Sequence, residues 1–305
     1  SLLLDGAYLW VGTRSGISRY DTVSDSWVSY TKKDGLPSST ILSLALEADG
    51  KKRIWAGTRR GAALLDNDKS SWEAITTANG LPDNYVWSVA VDNREVWFGT
   101  NEGVARYSRV DGSWAIYTVE DGLTDNVVLS IGFEGKYVFL NTPRGVTIYD
   151  RELDLFTPFS QPDGLIGGIA KCVCSDQQMR QRVWIGTSDG ATLYDLVTDK
   201  ARNFTRNESL ASNNVQAIMV DGKYAWFGTD SGVSRYDSMA DEWTTFHRAT
   251  MPGREGSSAG MISYNIKSLA VDDDYLWVGT RKGLSRYDKL SGLWEHFPLI
   301  YTAPE

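Results

Sequence analysis

The chain is poor in the residues that most protein chemistry depends on. Cys172 and Cys174 are the two cysteines in 305 residues, and strand positions two apart have poor geometry for a disulfide. They read as free, small packing residues. Histidine is equally scarce: His247 and His296, with one Cys-x-Cys, fall short of a zinc ligand set. No cofactor or metal is expected. No run approaches the roughly 18 apolar residues of a membrane span, so no membrane segment is expected in this chain. An initiator Met is missing, and "SLLLDG" is too short for a signal core, which points to a piece cut from a longer chain. Positive charge is in deficit as well. The net charge is −8, which argues against nucleic acid as a general partner, because phosphate binding needs a basic face.

What the sequence has is repetition. "LWVGTRSGISRYD" at 9 returns as "IWAGTRRGAALLD" at 54, "VWFGTNEGVARYS" at 96 and "VFLNTPRGVTIYD" at 138. "VWIGTSDGATLYD" at 183, "AWFGTDSGVSRYD" at 225 and "LWVGTRKGLSRYD" at 276 complete seven copies. The anchors Trp10, Trp55, Trp97, Phe139, Trp184, Trp226 and Trp277 are spaced by 45, 42, 42, 45, 42 and 51 residues. A period in the forties without a helical signal means a four-stranded sheet per repeat. A second aromatic follows 17 residues later at Trp27, Trp72, Trp114, Phe156, Trp243 and Trp294, with Ala201 breaking the series.

Breakers divide each copy. In the second, "ILSLALEA" is an apolar run suited to an inner strand A, "RIWAGTR" is B, "AALLD" is C and "SWEAIT" is the outer D. The expected fold is therefore all-β: a seven-bladed β-propeller with four antiparallel strands per blade. Its blades fall near 1–37, 38–82, 83–124, 125–166, 167–211, 212–260 and 261–305 of a single domain. One four-stranded sheet cannot bury both its faces, so the ring stabilises the blade. Because the chain begins in strand A and ends past strand D, blades are expected to be contiguous, with little or no strand exchange at closure.

These residues resemble the two-component regulator propeller repeats of bacterial ligand-binding sensor proteins. The resemblance rests on "LWVGTRSGISRYD", on Trp-x-x-Tyr-Thr and on "DGLPSS", in that order, over essentially the whole chain. It implies an extracytoplasmic sensing module, periplasmic or extracellular, commonly joined to a membrane helix and a histidine kinase or other output. In some gut bacteria it implies glycan detection. A single ring without a following β-sandwich or kinase segment departs from the large hybrid sensors.

In such a ring the loops entering strand A and those joining B to C share one face, at the mouth of the central channel. Just after the Gly-Thr pair stand Arg14, Arg59 and Arg281, on blades 1, 2 and 7, with Arg60 and Lys282 one residue later. Glu102, Asp189 and Asp230 belong to the other side, interrupted by Arg144. At the start of strand A the aligned residues are Leu42, Trp87, Leu129, Lys171, Gln216 and Lys267. The loop 247–265 holds nine extra residues and reads as a flap over the arginine arc. The expected site is a polar, partly basic funnel for an anionic or carbohydrate ligand. Arg14, Arg59, Arg281, Lys282, Lys171 and Lys267 supply its charge, and Trp87 and Tyr264 its stacking surfaces.

The recurring Asp21, Asp66, Asp150, Asp195, Asp237 and Asp288 read as turn formers. Asp272–Asp274 read as a hairpin turn rather than a calcium loop. No catalytic set is evident, so a non-enzymatic sensor module is the leading expectation, its partner a small molecule or oligosaccharide. A scaffold that docks a protein partner on the same face is the alternative. A propeller lyase or hydrolase comes third, since only His247 stands near the mouth.

Overall fold

Seven separate cores, one in each seam between neighbouring blades, hold the ring together. The computed structural model describes residues 1–47, 53–66, 71–92, 94–176, 181–247 and 260–298. Its strands form seven four-stranded sheets, each in sequence order A-B-C-D with antiparallel neighbours. Blade 1 comprises Leu2–Asp5, Tyr8–Gly12, Ile17–Asp21 and Ser26–Tyr30. Blade 7 comprises Ile266–Val271, Tyr275–Thr280, Gly283–Asp288 and Trp294–Pro298. Among the described residues no strand is exchanged, as the phase of the repeats required.

The anchor of strand B explains the ring. Trp97 is fully buried against Val128, Ile131, Val138 and Tyr149 of the following blade as well as Val104 of its own. Trp10, Trp55, Phe139, Trp184 and Trp226 repeat this across the next five kinds of seam. Trp277 closes the circle against Leu9 and Tyr20 of blade 1. Burying one Trp contributes on the order of 4–6 kcal/mol gross, so closure by side chains suffices without a swapped strand. The irregular fifth blade keeps its register: Ala201 pairs with Tyr194, and Phe204, three residues on, is fully buried.

Local chemistry fixes the turns. Asp21 accepts the backbone N–H groups of Val23 and Ser24 at 2.9 and 3.2 Å, and Asp150, Asp195, Asp237 and Asp288 hold equivalent turns. Asp272 accepts from the N–H groups of Asp274 and Tyr275 and from the Trp277 indole, which makes it a hairpin residue. At the B–C turn Thr58 Oγ1 donates to the Gly61 carbonyl and accepts from the Arg60 N–H. Gly61 has φ +115°, and a Cβ there would lie 2.4 Å from the Ile75 carbonyl oxygen of strand D. The repeated Gly-Thr-x-x-Gly is thus turn geometry, and most of its variable residues face solvent.

Candidate functional site at the channel mouth

Strand A begins where strand B ends: Ile41 pairs with Thr58, Ile266 with Thr280. The loops before A and the B–C turns therefore occupy one face. At this rim strand A carries a β-bulge, with register shifts between Ile41 and Ser43, Ala170 and Cys172, Val215 and Ala217, and Ile266 and Ser268. The extra residues are Leu42, Lys171, Gln216 and Lys267. A bulge re-aims the side chain of its extra residue, which explains how neighbouring blades come to share polar contacts.

Lys171 Nζ of blade 5 donates to Asn214 Oδ1, and Asn214 Nδ2 donates to Asp230 Oδ2 of blade 6 at 2.9 Å. Lys267 Nζ of blade 7 donates to Gln216 Oε1 of blade 6 at 2.7 Å. Burial, then repulsion from Arg281 and Lys171, holds the Lys267 ammonium below its ordinary pKa. Burial pushes the Asp230 carboxyl up, but hydrogen bonds from Ser212, Asn214 and Ser231 and the charge of Lys171 outweigh it, and the group stays below the usual range. Lys171, Lys267 and Arg281 against Asp230 leave two uncompensated positive charges in a partly desolvated corner of an acidic protein.

Across the mouth the surface changes character. Tyr85 and Trp87 of blade 3 lie with ring centroids 4.5 Å apart, and the Arg59 guanidinium sits 5.8 Å from the Tyr85 ring. Trp87 Nε1 donates to Asn101 Oδ1 at 2.8 Å, and Asn101 Nδ2 donates to Asp83 Oδ2 at 3.1 Å. The indole is half-buried and its edge is pinned, which fixes the orientation of its face.

The expected residues fare unequally. Lys171, Lys267 and Trp87 stand at equivalent rim positions, the two lysines partly buried and each bonded to blade 6 across its own seam. Arg14, Arg59, Arg281 and Lys282 are exposed on the outer turns. Tyr264 is a correction: it is 5% exposed and packs with Met261, Ile266 and Trp226 in the seam between blades 6 and 7, so it offers no stacking face. Tyr85, instead, lies beside Trp87. Asp230 is also misplaced in the sequence reading, since it lies among the lysines instead of on a separate acidic side. Asn214, Asn101 and Asp83 were missed; their only signal was a loop position before strand A or after Gly-Thr. Most of the expected flap, 248–259, lies outside the described residues.

The cysteines are free thiols. Burial pushes the Cys172 thiol up to about 12 and the Cys174 thiol to about 11. His296 Nδ1 lies 3.3 Å from Ser285 Oγ within blade 7. Among the described residues no cluster of His, Cys, Asp or Glu is arranged to hold a metal ion.

Residues 80–102 match the two component regulator propeller family, and this stretch carries Tyr85, Trp87 and Asn101. No curated protein matches the chain. Among solved structures, the extracellular domain of BT4673 from B. thetaiotaomicron, a candidate one component system, is 20% identical with a TM-score of 0.55. The alignment covers 97% of this chain and 40% of that one, so the present chain spans well under half of it. Virginiamycin B lyase from Staphylococcus aureus is 13% identical, with a TM-score of 0.66 over 85% of this chain and 84% of that chain. The WD40 propeller domain of Doa1 is 13% identical, with a TM-score of 0.68 over 96% and 91%. At these identities the structural likeness establishes the propeller fold alone.

Proposed function

From a two component regulator propeller repeat in blade 3, we propose that the chain is a non-enzymatic, extracytoplasmic sensor module that binds an anionic or carbohydrate ligand at the channel mouth. One observation carries the reading. Lys171 and Lys267 are partly buried, hydrogen-bonded to the neutral amides of Asn214 and Gln216, and outnumber the nearby carboxylate. A buried cation facing amides is stabilised when an anion arrives. The Tyr85–Trp87 face opposite supplies the apolar half that sugar rings stack on. The BT4673 domain, extracellular and assigned to a signalling system, supports the same placement.

A thermal-shift and calorimetric screen of uronates, sulfated and neutral sugars tests this, since a ligand that binds only the native state raises the melting temperature. Binding lost in Lys171→Met/Lys267→Met and in Trp87→Ala supports the mouth. Retained affinity in both variants refutes it.

A second reading has its own observation. On the opposite face six strand C–D turns each display an apolar side chain: Val23, Val110, Leu153, Val197, Met239 and Leu290, all at least 67% exposed. Such a crown favours a protein-docking scaffold. Its test is whether replacing these residues by Ser abolishes a partner complex while mouth binding persists.

A further inference from the structure

One arc of the mouth face carries six exposed cations without mates. On the described residues away from the mouth many basic side chains are paired, such as Arg109 with Glu47, Arg182 with Asp195 and Lys289 with Asp221, while others such as Arg19 and Arg235 lie over the Tyr8 and Tyr224 rings. On the mouth face of blades 7, 1 and 2 unmated cations cluster. Arg14, Lys32, Lys33, Arg59, Arg60 and Arg281 are all exposed, and none has a carboxylate within 4.0 Å among the described residues. Asp34, beside the two lysines, is occupied by the N–H and hydroxyl of Thr31. In a chain of net charge −8, six unmated cations on one arc make a local field of opposite sign to the whole, and such a field attracts extended anions.

The arc also lacks what a polypeptide partner needs. None of the exposed large apolar side chains lies on its turns, whereas protein interfaces take most of their affinity from buried aromatic and aliphatic anchors. Flat, hydrophilic and cationic, it fits a hydrophilic chain of repeated negative charges. Arg281 belongs to both zones: it follows Thr280, which pairs with Ile266 beside Lys267, and its charge is felt at Lys267.

We propose that the arc over blades 7, 1 and 2 is a second binding zone that takes the continuing chain of an acidic polysaccharide whose end group occupies the mouth. The inference rests on the mouth reading and adds to it: the natural ligand is a polyanion, and affinity depends on its length.

The test titrates oligogalacturonates of one to six residues into the protein at low and at physiological salt, with neutral malto-oligosaccharides and poly-L-glutamate as controls. Affinity is expected to rise about 1.5- to 5-fold per added charge over the middle lengths, as exposed ion pairs do, and the gain should shrink with salt. Lys32→Ser/Lys33→Ser/Arg60→Ser should erase the gain with length and leave the monomer's affinity unchanged. Equal affinity for monomer and hexamer, or no hexamer binding at low salt, overturns the proposal. Poly-L-glutamate binding as tightly as the hexamer at equal charge also overturns it. Length dependence that survives Lys171→Met/Lys267→Met unchanged would leave the arc standing and remove the mouth.

Discussion

Lys267 of blade 7 and Gln216 of blade 6 meet at 2.7 Å across a seam, ammonium to amide oxygen, with no carboxylate taking the lysine's charge directly. An amide satisfies the donor without neutralising it. The ammonium is therefore held below its ordinary pKa by burial and by Arg281 and Lys171, and a bound anion reverses that shift. Anion affinity is expected to be flat through neutral pH and to fall on the alkaline side earlier than an unperturbed lysine would allow. Binding titrations from pH 7 to 10 check this, and Lys267→Arg should push the fall to higher pH.

Asn101 holds the Trp87 indole edge. Asn101→Ala leaves a half-buried N–H free to rotate toward water, so stability should drop by only about 1 kcal/mol. The intrinsic fluorescence of Trp87 should broaden, and affinity for sugars should fall severalfold because the stacking face is no longer fixed. Unchanged affinity would show that the platform does not depend on its pin.

Glu47 sits at the far end of strand A in blade 2, with no exposed surface. It accepts from Arg53 and from the Trp55 indole at 2.9 Å, and lies 3.1 Å from Arg109 Nε of blade 3. Glu47→Ala strands two guanidinium groups, and unfolding free energy should fall by about 3–5 kcal/mol. Urea denaturation measures it. A loss under 1 kcal/mol would mean that water replaces the carboxylate.

A hydroxyl–amide latch joins successive blades. The N–H groups of Thr124, Ile166, Ala211 and Ile262 donate to Thr147, Thr192, Ser234 and Ser285 at 2.9–3.0 Å. Where the loop residue is Pro37 or Pro82, which has no N–H, the facing residue is Ala63 or Ala105. Ser234→Ala should cost about 1 kcal/mol. Ala211→Pro should cost less in the Ser234→Ala background than in the wild type, a coupling that a double-mutant cycle reads directly.

The Asp195 carboxyl is held at about 2 by the N–H of Thr198 and by Arg182. Its folded pKa lies below the ordinary 3.8, so its stabilisation is complete above about pH 4 and is lost as pH falls toward 2. Asp21, Asp150, Asp237 and Asp288 shift in the same direction. Acid unfolding between pH 4 and 2 should therefore be less steep in Asp195→Asn.

Much of this molecule was determined by sequence alone, because its information is periodic. A Trp every 42 to 51 residues, a Tyr-Asp turn and a Gly-Leu loop state one sheet seven times, and one sheet that cannot bury its faces permits only a closed ring. The pairing of Pro37 and Pro82 with Ala63 and Ala105 became readable only once the latch between successive blades was seen. The mouth was only half legible. Alignment placed Lys171, Gln216, Lys267 and Trp87 at one position but could not show that a bulge turns three of them into polar contacts across the seams. It could not show that Asp230 sits among the lysines, nor that Tyr264 turns into the seam. Those facts depend on how neighbouring blades approach, and repeat periodicity describes one blade at a time. Packing between blades decided which equivalent residues became core and which became site.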